Sequence, residues 1–127
     1  VHASRINSRP GRPLIFATRG RQVAFGLPGN PLSHWVCFHA FVTRALARLE
    51  GRDIPALINA RLAGQLPGAG DGRRTWTPAR RQYREGMLYV EPLCWQHSGD
   101  LTPLASADAL LMDRQDPATH LIPTFLL

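Results

Sequence analysis

Gly26-Leu27-Pro28-Gly29-Asn30-Pro31-Leu32-Ser33 is the stretch on which the reading of this chain turns. Asn30 has a side-chain oxygen that can cap a helix, and Pro31 follows at the first helical position, where a missing N–H costs nothing. A helix is therefore expected to start here and to run to about Leu49, with Gly51 as its stop. Leu32, Trp35, Phe38, Val42, Ala45, Leu46 and Leu49 would form one apolar stripe at helical spacing. Cys37 and Phe41 lie off that stripe, so the first half is apolar nearly all round and is expected to be deeply buried. Arg44 and Arg48 are expected to face water near the C-terminal end, where positive charge suits the helix dipole.

Working back from this helix, residues 14–18 (LIFAT) and 22–26 (QVAFG) are short apolar runs separated by Arg19-Gly20-Arg21, a strand, turn, strand pattern. The loop thus joins a strand to a capped helix. Backbone N–H groups at such a junction lie at the positive end of the helix dipole and can cradle an anion, although the same arrangement also serves purely as structure. The lysine-serine pair of a Walker loop is missing, as is the dinucleotide glycine fingerprint.

Working forward, composition changes at residues 51–55 (GRDIP), and no long helix is expected beyond them. Extended runs are expected at Pro55 to Leu62, Thr75 to Tyr83, Met87 to Leu93 and Leu121 to Leu126, separated by turns such as Arg84-Glu85-Gly86. Residues 64–72 (GQLPGAGDG) read as a loop, and residues 104–111 (LASADALL) as a short helical turn. The second half is expected to be a small β-barrel or sandwich of four to six strands, giving an α+β chain.

The net charge of +6 is unevenly placed. All 15 basic residues are arginine, and residues 1–49 carry seven of them and no carboxylate. Arg5, Arg9, Arg12, Arg19 and Arg21 could form an anion-attracting surface for phosphate, pyrophosphate, an oxyanion or nucleic acid, or simply a solvated basic edge. No nucleic-acid-binding motif accompanies them. Cys37 and Cys94 lack metal-type spacing and read as two buried free thiols. His34 and His39, about 140° apart on a helix, are poorly placed to share a metal. Trp35, Trp76 and Trp95 read as core or interface aromatics. No apolar run approaches the roughly 20 residues needed to span a bilayer, and the first residues lack a signal-peptide pattern, so a cytoplasmic chain is expected.

Two ordered motifs carry a resemblance. Pro10-Gly11-Arg12-Pro13-Leu14, a strand pair and the Gly26–Ser33 stretch resemble the PGKP and GLPGNPVS segments of the MoeA/gephyrin family, the molybdopterin molybdenumtransferases. Gln96-His97-Ser98-Gly99-Asp100-Leu101, followed by Leu104 to Leu110, resembles that family's Q-G-S-G-x-L and the small-residue stretch after it. The resemblance implies that residues 1–50 are the last two strands and helix of an α/β molybdopterin-binding domain, and residues 51–127 the C-terminal β-barrel-like domain. It implies insertion of molybdate into adenylylated molybdopterin with release of AMP, dependent on Mg, in a homodimeric cytoplasmic enzyme whose metal ligands lie upstream. This chain alone would then be inactive.

Residue by residue, the resemblance places substrate-anion contacts at Arg5 and Arg9, where the family usually has lysine, at Pro28, Gly29, Asn30, Pro31 and Ser33, and at Ser98. Arginine keeps the charge but never deprotonates, which removes any proton-transfer role. Pro78 stands where a family arginine is expected, and Arg80, two residues along the same strand face, could substitute. His97 replaces a family glycine. Catalytic residues are not assigned. Two other readings stay open: a basic nucleic-acid-binding module, and a relative of the family that has lost catalysis and serves as a scaffold.

Overall fold

The computed structural model describes residues 1–67, 72–97, 99–114, 116 and 118–127. Its chain forms a strand-rich α+β fold in which one helical rod packs on a closed five-stranded barrel.

Two strands, β2 (Ile15–Arg19) and β3 (Gln22–Gly26), form the expected antiparallel hairpin, with Arg19 opposite Gln22. That register leaves a two-residue turn, and Gly20 takes it with φ +58, a left-handed conformation that glycine adopts without steric cost. Phe16 and Phe25 face each other across the pair, with ring centroids 5.1 Å apart. Before the hairpin, β1 (Ser8–Arg9) pairs in parallel with a strand of the barrel, Ser8 opposite Arg74 and Arg9 opposite Thr75.

The helical rod starts where the sequence places it, but it is not a uniform α-helix. α1 (Pro31–Cys37) and α2 (Thr43–Leu49) are joined by a π-helical segment, Phe38–Val42. The Thr43 N–H reaches the Phe38 carbonyl five residues back, and its hydroxyl donates to the His39 carbonyl at 2.8 Å, occupying the acceptor that an α-helical Thr43 N–H would have used. The extra residue in this turn rotates everything after it. Buried positions are Leu32, Val36, Cys37, Ala40 and Ala47, whereas Phe38, Leu46 and Leu49 of the expected stripe are exposed. Arg44 also departs from expectation. Its guanidinium lies 4.9 Å from the Phe125 ring centroid and donates to the Pro55 carbonyl, so only Arg48 of the pair is freely exposed.

The barrel comprises β4 (Ile58–Leu62), β5 (Arg74–Arg84), β6 (Met87–Pro92), β7 (Ala109–Met112) and β8 (Leu121–Leu126), in the closed order β5-β6-β4-β8-β7-β5. Residues 109–111, expected to be helical, are strand; only α3 (Thr102–Ala105) is helical there. All four residues of β7 are buried, because one face lines the barrel and the other lies under the helix. A strand buried on both faces loses the alternation by which strands are read.

β5 is long enough to pair with β7 over Trp76 to Ala79 and with β6 from Ala79 to Arg84. Aspartates bracket the β5–β7 seam. Thr75 N–H donates to Asp113 at 2.8 Å, and Arg81 N–H donates to Asp108 at 2.7 Å. Ala60, Ala79, Val90, Ala109, Leu111 and Ile122 fill the barrel, while Leu32, Val36 and Ala40 of the rod pack with Trp76, Leu110, Met112 and Phe125 on its outside. Trp35 and Trp95 are half-buried against this outer cluster, and Trp76 lies within it, so the tryptophans are core aromatics as expected. Cys37 is buried; Cys94, contrary to expectation, is exposed.

Candidate functional site

At the helix start, Asn30 accepts from the Ser33 N–H at 3.2 Å, and the Ser33 hydroxyl lies 3.4 Å from the same oxygen. Pro31 brings no N–H and the cap takes that of Ser33, which leaves the Leu32 amide as the first-turn donor that neither removes. The cradle is therefore narrower than the sequence suggests. Pro28 is buried, Gly29 and Pro31 are exposed, and Asn30 and Ser33 are half-buried. A Cβ on Gly29 would meet nothing within 4 Å, so open space lies over it.

The segment after β6 is organised by Asp100, whose carboxylate accepts from Thr102 N–H at 3.1 Å and Gln96 N–H at 3.4 Å. These backbone donors, Thr102 first, hold its pKa below the ordinary value. Ser98 lies outside the described residues. Leu101, Leu104 and Ala105 of this region share a depression with Pro31, His34, Trp35 and Phe38, so Leu101 and the short helix after it sit beside the first turns of the rod. Arg80 is exposed on β5, on the outer face it shares with Pro78 and Trp76, opposite Glu91 of β6. Pro78 itself is fully buried against β7 opposite Leu110, so it offers no cation and no free backbone donor.

Arg9 is exposed on β1 beside Thr75. Arg5 lines a different depression of 480 Å³, with Ile6, Asn7, Arg12 and Arg73, and no residue of 28–33 contributes to it. An adjoining cavity of 680 Å³ shares Ile6, Asn7 and Arg73 and adds Arg74, Arg114, Phe41 and Trp76 among its walls. Sequence reasoning singled out Arg5 and Arg12 here and missed Arg73, Arg74 and Arg114. Among the described residues no group of three or more His, Cys, Asp or Glu side chains could hold a metal ion. Asp113 and Asp108 are already committed to backbone donors on β5.

Residues 59–118, from β4 past β7, match the family model described as the MoeA C-terminal region, domain IV. Cinnamon, a molybdenum cofactor synthesis protein of Drosophila melanogaster, is 33% identical over 115 residues, spanning 87% of this chain. Wherever a stretch of that span begins, it contains residues 26–33. The chain belongs to the MoeA/gephyrin family.

A molybdopterin molybdenumtransferase from Nostoc sp. is 30% identical over 117 residues and likewise covers 87% of the chain. The fold agrees. A molybdopterin biosynthesis MoeA protein from Pyrococcus horikosii superposes over 98% of the chain with a TM-score of 0.72 at 26% identity. The chain spans 19% of the Drosophila relative, 27% of the Nostoc relative and 31% of the Pyrococcus MoeA chain. It carries the region matched by the MoeA C-terminal family model, and no helix among its described residues is long and apolar enough to cross a membrane.

Proposed function

We propose that this chain supplies the anion-holding, C-terminal portion of a molybdopterin molybdenumtransferase, acting in the insertion of molybdate into adenylylated molybdopterin with release of AMP. The observation that carries the reading is the Asn30-capped loop at the start of a rod that is packed on a MoeA-type barrel, with Leu101 of the second motif beside its first turns. In this reading residues 1–50 complete a molybdopterin-binding α/β domain and residues 51–127 form the terminal barrel.

The reactants are polyanions, and fixed cations with outward amides stabilise the charge they carry without reorganising. Arg9 and Arg80 are exposed guanidiniums suited to phosphate or molybdate oxygens, and Arg5 adds a third at the 480 Å³ depression. Pro28, Gly29 and Pro31 fix the loop, Asn30 and Ser33 hold the helix start, and the Leu32 amide is the donor left at its positive end. Ser98 joins the set by its place in the family motif. Proton transfer is assigned to none of these positions, since arginine does not titrate.

A divalent cation such as Mg would assist departure of AMP by neutralising phosphate charge. The described residues of this chain do not provide a carboxylate cluster for it. Its ligands, and a second subunit of a homodimer, belong in this proposal to a longer cytoplasmic protein. Binding is tested by titrating this chain, and its Arg5→Ala/Arg9→Ala variant, with molybdate, AMP and a pterin phosphate at fixed salt. Weak binding that the double variant abolishes supports the reading. Binding of none of them, together with salt-sensitive binding of arbitrary duplex DNA, favours a basic nucleic-acid module instead.

A further inference from the structure

We infer that Arg44 is a positioning residue: it pins the barrel to the rod and so sets how the Asn30 loop stands relative to Arg80 and to Leu101 of the second motif. Its catalytic consequence rests on the transferase reading proposed above; its geometric one does not. The Asn30 loop rides on the head of the rod, whereas Arg80 and Leu101 belong to the barrel side of the chain. The direct connection between the two runs through residues 52–57, which carry neither helix nor strand and are all exposed. Such a segment, with its backbone in water and few apolar contacts, does little to hold an angle.

Packing alone leaves that angle loose. Leu32, Val36 and Ala40 of the rod meet Trp76, Leu110, Met112 and Phe125, but these apolar contacts all lie ahead of α2 and are non-directional. Beyond them the seam is not filled: a cavity of 280 Å³ is lined by His39, Thr43 and Arg44 of the rod, Pro55 of the linker and residues 125–127. A seam without close packing has no steric lock. Arg44 supplies two directional contacts here. Its Nη1 donates to the Pro55 carbonyl at 2.6 Å, and its guanidinium stands 4.9 Å from the Phe125 ring centroid. Among the described residues no other side chain of the rod is hydrogen-bonded to the linker or the barrel, and Arg44 has no ion-pair partner to draw it elsewhere.

Cys94 is exposed just after β6 and Cys37 is buried, so nitroxide labels at Cys94 and at Arg48→Cys, an exposed position of α2, read the rod against the barrel by pulsed electron spin resonance of the full chain. With Arg44 in place one narrow distance population is expected. Arg44→Met keeps the stem but neither charge nor donor, and is expected to broaden that population or add a displaced second one; Arg44→Lys keeps both and is expected to restore it. Phe125→Leu, which removes the ring and leaves the Pro55 contact, is expected to broaden it in part. In the longer protein Arg44→Met is expected to lower kcat/KM for AMP release roughly tenfold with Tm little changed, since misplacing a binding group by about 1 Å can cost up to ~100-fold, and Arg44→Lys to recover it. If the unsubstituted protein releases no AMP, the transferase reading fails and the label distances alone decide the role of Arg44. Distances in Arg44→Met, or in Phe125→Leu should that chain not fold, that superimpose on those of the unsubstituted chain would overturn the inference. So would a displaced population with kcat/KM unchanged.

Discussion

Gly11 lies against the sulfur of Cys37: a Cβ at position 11 would stand 2.6 Å from Sγ, and the Cys37 thiol points toward the Gly11 carbonyl at 3.8 Å. Gly11 also holds φ at +108, a conformation closed to residues with a Cβ. This contact seats the Pro10-Gly11 segment on the middle of the rod, between β1 and the hairpin. Gly11→Ala should therefore cost about 2–4 kcal/mol, from strained backbone and overpacking together. Adding Cys37→Ala to Gly11→Ala should return part of that loss, because the clash goes while the strain stays. Urea unfolding of the wild type and the two variants measures both effects, and a Gly11→Ala chain as stable as wild type would refute the contact.

The two cysteines should behave as chemically distinct thiols. Burial pushes the Cys37 thiol up to about 11, since a thiolate there would be stripped of water. Cys94 is exposed. An aromatic disulfide reagent at mildly alkaline pH should label Cys94 quickly and Cys37 only as the fold opens. Equal rates for the two, compared in Cys37→Ala and Cys94→Ala chains, would be inconsistent with the packing.

His39 gives the fold a pH dependence of defined sign. Its ring packs against Trp35, with centroids 4.5 Å apart, and desolvation lowers its pKa below 6.5. As pH falls through 6.5 the unfolded chain takes up a proton at this position that the folded chain resists. Stability is thus fully present above that value and is lost as pH falls toward the lower, folded pKa. Denaturant unfolding at pH 7.5 and about pH 5.5 should show a smaller loss for His39→Gln than for wild type. An identical pH dependence for the two would remove His39 from the account.

The hairpin and the helix start were legible because local chemistry alone dictates them: Gly20 takes the turn, and Asn30 with Pro31 opens the rod. The phase of the rod was not, since the Thr43 hydroxyl draws off the His39 carbonyl and a π turn shifts every later position. Residues 109–112 hid their strand by being apolar on both faces. The sequence also placed the loop around Asn30 correctly at the head of a helix, yet it could not show how few amides the cap leaves free. Arg74 and Arg114 were missed for a topological reason: more than sixty residues separate Arg5 from Arg73 and Arg74, and only the parallel pairing of β1 with β5 brings them together.

If Arg9 and Arg80 hold the anions of the proposed molybdenum-insertion reaction, AMP release depends on both. The longer protein that the proposal requires would be given adenylylated molybdopterin, molybdate and Mg, and compared with its Arg9→Ala/Arg80→Ala variant. A fall in kcat/KM of roughly a hundredfold, the loss of two charge-assisted contacts at about 1.5 kcal/mol each, is predicted with Tm unchanged. AMP release by the double variant at the wild-type rate would contradict it.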